Sequence, residues 1–489
     1  MQKTSILNMR EIIPSQPSLG QTNIADIIIS DKSRDDIPDI LKGLQYIYTD
    51  PDMNAALSEQ LKNVFSSKQL SIGRIGMDVW SIFVLSTLRV NLNWDYDRLH
   101  EMANQHIGIR EMLGHDSVFN NSSQYALQTI KDNVRMLTPE TLEEINQAVV
   151  LAGHKLLNKK DDDILKGRAD SFVLETNVHF PTDVSLLQDA MRKAINLSYD
   201  ACRSLGFSDW RQHEYNVRCL KSLLRKIQII KKGKAKDKEE RLIAAHQEYI
   251  DAAKMFVKKL ECTLEALKDN ILSIQIRNYL NHAYRQIDQI ERRAINGETI
   301  PASEKVYSIF ETHTEWVNKG KAGGKIELGI KVCIIEDQHQ FILHHRVMQK
   351  EADSDIAELI VKECQKRFPN FKICSFDKGF DSAANQGALG NILDTVIMPK
   401  KGKLSQERKE VEHEAEFIKT RHQHSAVESA INCLEQHGLD KCPDKGIDGF
   451  KRYVAIAIVG RNIQRIGSIL RAKNRAQEQR KTRKFLKAA

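Results

Sequence analysis

Three acidic residues stand out for the chemistry they could do: Asp170, Asp377 and Glu428. Asp170 opens a segment rich in β-branched and aromatic residues that runs to Phe180, and Asp377 closes the apolar run Phe371-Lys-Ile-Cys-Ser-Phe376. Glu428 falls in His424-Ser-Ala-Val-Glu-Ser-Ala-Ile431, which reads as helix. Carboxylates are the hard oxygen donors that Mg²⁺ and similar ions take. Two strand-borne aspartates and a helix-borne glutamate can form one pocket for a pair of divalent ions. Such a pair activates a water or a 3′-hydroxyl and stabilises the leaving oxygen in phosphodiester chemistry. Each acid also has a plainer reading. Asp377 in Asp-Lys-Gly can cap a turn, and Glu428 can be a solvated helix charge. Asp170 competes with Glu175 and with Asp183, whose place before a helical run marks it as an N-cap.

The elements that must position these acids follow from periodicity. Arg74 to Leu92 is too long and too continuously apolar for a strand and reads as a buried helix. Thr138-Pro139 followed by Glu140, Glu143 and Glu144 is a helix start, with a capping hydroxyl, a first-turn proline and acids at the positive end. Residues 1–160 therefore read as an all-helical N-terminal domain, and Lys159-Lys-Asp-Asp-Asp163 as a polar hinge. After the strand at Asp170, residues 185–298 carry apolar positions at three- and four-residue spacing, broken at Lys231-Lys-Gly-Lys-Ala-Lys236, which predicts a helical hairpin. Lys325–Ile335 and Gln340–Val347 predict a β-hairpin. Asp353–Arg367 predicts an amphipathic helix, Phe371–Phe376 and Thr395–Met398 two strands, and Glu410–Leu470 further helix. With the helical block lifted out, strand–strand–strand–helix–strand is the order of an RNase H-like α+β fold. Its mixed sheet has flanking helices and a long insertion after the first strand. The catalytic domain then spans 161–470, and a basic tail occupies 471–489.

Composition narrows the class. A chain of 489 residues with 41% hydrophobic content can build two or three cored domains. The net charge of +8 is modest but clustered, with ten Arg and Lys against the single acid Glu478 between Arg461 and Lys487. That segment can neutralise phosphates of any sequence or serve as a solvating tail. The eight cysteines include no C-x-x-C pair, which argues against a disulfide framework or structural zinc and for a reducing cytoplasm. No signal-peptide pattern or membrane-length apolar stretch is seen. Lys400 and Lys401, after the strand at Thr395, can hold DNA phosphates or form a solvated loop. Trp316 beside Lys319 and Lys321 can stack an unpaired base or simply pack.

Several of these segments together resemble the DDE transposases of bacterial insertion sequences. The resemblance begins with Asp170-Ser-Phe-Val-Leu-Glu-Thr-Asn-Val-His-Phe-Pro-Thr-Asp-Val-Ser-Leu-Leu187 and continues through His313-Thr-Glu-Trp-Val-Asn-Lys-Gly-Lys321 and Ile326-Glu-Leu-Gly-Ile-Lys-Val332. It takes in Asp377-Lys-Gly-Phe-Asp-Ser382, Arg421-His-Gln-His-Ser-Ala-Val-Glu428, Gly449-Phe-Lys-Arg-Tyr-Val-Ala455 and Gly460-Arg-Asn462. It implies that Asp170, Asp377 and Glu428 are catalytic ligands of Mg²⁺, with Mn²⁺ able to substitute. It further implies metal-dependent strand cleavage and transfer at the ends of a mobile element. Arg421, His424, Lys400, Lys401, Lys319 and Lys321 are the expected DNA contacts. The N-terminal helices would bind terminal inverted repeats, and a homodimer or larger synaptic assembly would join two ends and target DNA, in a nucleoid-associated, bacterial cytoplasmic setting without a membrane. An inactive transposase-derived DNA-binding protein and an RNase H-like nuclease are the alternatives.

Overall fold

A computed structural model describes residues 12, 21–62, 64, 76–115, 124–159, 163–267, 271–318 and 326–488. The chain divides into two compact units, Met1–Asn177 with Gly329–Ala489, and Val178–Leu328. The boundary expected near residue 160 is not a boundary between these units: the helices before it and the sheet after it share one apolar core.

In the first unit, Asp78 accepts a hydrogen bond from the Ser81 amide at 2.7 Å and opens the helix Val79–Asn91, every residue of which is buried. Thr138 caps Pro139–Leu156 in the same way, as its sequence predicts. Both helices, together with Ile37–Thr49, pack on the long carboxyl-terminal helix Gly446–Ala488. Glycine is required where two of them meet, because a Cβ on Gly467 would collide with the Asp39 carbonyl oxygen and one on Gly43 with that of Ile463. Residues 471–488, anticipated as a tail, continue this helix, and Arg471 at its start pairs with Asp39 and donates to the Ser33 carbonyl.

The sheet is mixed and seven-stranded: β1 (Leu165–Thr176), β2 (Glu315–Asn318), β3 (Ile326–Asp337), β4 (Ile342–Met348), β5 (Phe371–Phe376), β6 (Thr395–Ile397) and β7 (Lys441–Cys442). At its centre β1 runs antiparallel to β3 on one side and parallel to β5 on the other. β3 and β4 form the expected hairpin, in which the Asp337 carboxylate accepts from the His339 and Phe341 amides. Side chains alternate along each strand. Lys166, Arg168 and Asp170 of β1 therefore share a face with Ile373 and Ser375 of β5, because Arg168 lies beside Ser375 in register. The helix Ala415–Leu434 packs on β1, β5 and β6. Its His424 meets Ser375, so it covers this face. The helix Asp353–Arg367 covers the other face, where its Asp353 meets Ser171.

The second unit has a core of its own, built from four helices, Asp183–Ser204, His213–Lys232, Lys238–Leu267 and Ile271–Ile290. A two-armed hairpin underestimates it. The basic break at residues 233–237 does separate two helices, but the arm before it is itself broken at residues 205–212. Thr182, not Asp183, is the N-cap of the first helix; its hydroxyl and that of Ser185 form a capping box. Asp183 occupies the first helical position and pairs with Arg293 at 2.8 Å. Trp316 packs against Phe180 and Tyr307, so its ring already has apolar partners. Among the described residues no helix is long and apolar enough to cross a membrane.

Candidate acidic site

Parallel pairing of β1 and β5 carries Asp170 and Asp377 to neighbouring positions. Asp377 lies one residue beyond β5 in extended conformation, two residues after Ser375 and hence on the Asp170 face. From above, the helix Ala415–Leu434 presents Thr420, His424 and Glu428 at four-residue intervals along one face. His424 shares a 2.9 Å hydrogen bond, through Nδ1, with the Ser375 hydroxyl, which pins the helix to the strand one turn before Glu428.

The three acids feel one another. The Asp170 carboxyl is pushed up from 3.8 to about 7, first by burial and then by the charges of Asp377, Glu428 and Asp353, against the lowering effect of the 2.7 Å bond from the Ser171 amide. Asp377 and Glu428 are exposed, and neither forms an ion pair among the described residues. Among the described residues, the site therefore gathers negative charge with no basic side chain paired to Asp377 or Glu428. Asp377 also accepts from the Gly379 amide at 3.4 Å, so the turn-capping reading and the site reading both describe it.

Among the described residues no set of three or more His, Cys, Asp or Glu side chains closes on a single point tightly enough to enclose a metal ion. In charge and donor type, however, the cluster fits a hard divalent cation: all the donors are carboxylate oxygens, they repel one another, and two of the three are open to solvent.

The two rivals of Asp170 are placed elsewhere. Glu175 is an odd number of residues along an unbulged β1–β3 pairing and faces the opposite side of the sheet, and Asp183 belongs to the second unit.

Of the expected DNA contacts, Arg421 is exposed on the Glu428 helix, two turns earlier and about 20° around its axis. His424 is held below the ordinary imidazole range by burial, so it is neutral at neutral pH, and its buried Nε2 has no hydrogen-bond partner among the described residues. The backbone amides of Lys400 and Lys401 are anchored to Glu412 and Asp381, at 2.8 and 2.7 Å, in the segment after β6. Lys319 and Lys321 lie outside the described residues.

Sequence reasoning missed a fourth acid. Asp353, in the first turn of its helix, accepts from the Ser171 hydroxyl at 2.6 Å and from Lys331 at 2.9 Å. It also lies against Gly379, two residues past Asp377. Asp353 thus braces, from behind the sheet, the strand of Asp170 and the turn of Asp377. Its own charge is balanced by Lys331, which sets it apart from the three unpaired acids. Only the amphipathic pattern of its helix is visible in sequence; the contact to Ser171 spans 182 residues.

A larger cavity, about 720 Å³, lies away from the acids between Pro139–Leu156, β4 and Asp353–Arg367. Its arginines are already bound, Arg346 to Glu351 and Glu363, and Arg367 to Glu143 and Glu144. No protein-family profile, curated protein or solved structure matches the chain.

Proposed function

We propose that the chain is a DNA transposase of the insertion-sequence type, with an RNase H-like catalytic unit in which Asp170, Asp377 and Glu428 carry out phosphodiester cleavage and strand transfer. One observation carries this reading: a strand, a strand end and a helix bring three carboxylates to one face of the sheet, where burial and then the charges of Asp377 and Glu428 raise the Asp170 pKa. A fold gains no stability from unbalanced like charges, so their assembly calls for a cationic ligand. The strand order supports the RNase H-like assignment, since the three antiparallel strands β4, β3 and β1 continue into the parallel strands β5 and β6.

Asp170, Asp377 and Glu428 would hold Mg²⁺ or Mn²⁺, which when bound lowers the pKa of an attacking water and stabilises a departing 3′-oxygen. The chain's own groups set the geometry around that chemistry. Asp353 fixes β1 through Ser171 and β3 through Lys331, and lies against Gly379 in the Asp377 turn. Ser375 fixes the helix of Glu428 through His424, whose neutral ring leaves Nε2 for a substrate atom or a water. Arg421, Lys400 and Lys401 supply positive charge for phosphates outside the acidic cluster.

The test is a cleavage and joining assay on DNA carrying the ends of the element, with Mg²⁺ or Mn²⁺. Asp377→Ala and Glu428→Gln should abolish cleavage while retaining end binding. Full cleavage by either variant would refute the site, and cleavage without joining by the unsubstituted chain would identify a nuclease.

A further inference from the structure

Beside the acids, on the same face of the sheet, lies a groove of about 350 Å³ between β1, β5 and the helix Ala415–Leu434. Its rows continue those of the acidic site. On β1, Asp170 is preceded at two-residue steps by Arg168 and Lys166, each step about 6.6 Å. On the helix, Glu428 is preceded at four-residue steps by His424 and Thr420, each step about 6 Å. Strand and helix therefore keep nearly equal spacing, and the 2.9 Å contact of His424 with Ser375 marks the boundary between acids and groove.

The charge reverses across that boundary. Lys166 and Lys419, both exposed, and Arg168 line the groove against one acid, Glu416. Arg168 is held by Glu336 at 2.9 Å, whereas Lys166 and Lys419 form no ion pair among the described residues. Between the charged ends lie Ile373, an apolar wall, and the hydrogen-bonding side chains of Thr420 and Gln423. A ligand fitting this surface carries an anion at one end, a flat or apolar body with polar edges, and a link toward the acids. A nucleotide has these features. The volume is about that of one nucleotide rather than a base pair with its two backbones, which suits an unpaired strand.

We propose that this groove is a subsite for the nucleotide adjoining the reacting phosphodiester, taken as single-stranded or frayed DNA, with its far phosphate between Lys166 and Lys419. The proposal rests on the reading of the three acids as the reacting centre, but it is tested without their chemistry. The probe is a fluorescein-labelled single-stranded DNA decanucleotide, titrated with the full chain in chelator at several salt concentrations and read by anisotropy. Removing one lysine–phosphate pairing lowers the slope of log affinity against log salt by about 0.7. Lys166→Ala/Lys419→Ala should therefore lower the slope by about 1.4. Lys362→Ala/Lys366→Ala, an equal charge change on the helix over the opposite face, should leave it unaltered. Gln423→Trp, which fills the groove and keeps its charge, should weaken binding with the slope intact. A lysine double variant with the original slope, or Gln423→Trp with the original affinity, would overturn the subsite. Cleavage by Asp377→Asn would instead overturn the acidic site, and would leave the binding result standing.

Discussion

Replacing Asp170 by asparagine should stabilise the protein while removing its activity. Asparagine keeps the shape and can still accept from the Ser171 amide, but carries no charge. In the folded chain the Asp170 carboxyl titrates near 7 rather than near 3.8. A raised carboxyl pKa costs stability once pH exceeds the unfolded value, and the cost is complete above the folded value. At about 1.4 kcal/mol per pH unit the full difference would be about 4 kcal/mol, and solvent screening at a partly exposed carboxyl lowers it to about 1–3 kcal/mol. In a unit of this size that is about 1.5–4 °C in Tm. Thermal unfolding at pH 8 should show Asp170→Asn melting higher, and the gap should narrow as pH falls from 7 toward 4. Millimolar Mg²⁺ at pH 8 should raise the Tm of the original chain and close part of the gap, because a cation that binds only the folded acids stabilises them by mass action. A variant that melts at or below the original at pH 8 would show that the carboxyl bears no burial or repulsion penalty.

Four further outcomes are expected. Asp353→Ala removes the acceptor of the Ser171 hydroxyl and strands a partly buried Lys331, so urea unfolding should show a loss of about 1.5–3 kcal/mol. His345 is fully buried with its pKa driven down to about 3 by burial and by His344, so it stays neutral when folded. The unfolded imidazole takes up a proton below about 6.5, so stability should fall by up to about 1.4 kcal/mol per pH unit between pH 6.5 and 4; His345→Leu should flatten that slope. Gly467→Ala should cost about 1–3 kcal/mol or more by thermal unfolding, through overpacking at the crossing with Ile37–Thr49. Thr138→Ala should cost about 1 kcal/mol by the same measurement, through loss of the cap on Pro139–Leu156.

Local patterns carried much of the fold. Alternation and β-branching marked β1, β3, β4 and β5, and the hydroxyl, proline and acids at Thr138–Glu144 marked a helix start that the structure contains. Convergence of the three acids depended on β1 lying beside β5, a pairing that the strand order anticipates. What stayed hidden depended on contacts distant in sequence or on choices between close chemical equivalents. Thr182 and Asp183 can each cap a helix, and Ser185 decided between them by completing the capping box. The break at residues 205–212 lies within a long amphipathic stretch whose periodicity barely changes. The strut from Asp353 to Ser171, and the groove beside Arg168, arise only when separate elements stack on the same strand.

The second unit interrupts the first between β1 and β3, and that has a consequence for the order in which the chain can assemble. Glu175 pairs with Gly329 across everything in between. Closing so long a connection, compared with a tight hairpin, costs about 3 kcal/mol of chain entropy if the intervening residues are loose. A helical unit with its own core can fold first and shorten the gap. On a growing chain, β1 emerges early and then waits for β3, β5 and β7, with both hydrogen-bonding edges unsatisfied. Glu428 is made later than any of its partner acids. The acidic site is therefore completed only after strands β1–β6 have been made, and a chain cut short before Glu428 lacks one of the three acids.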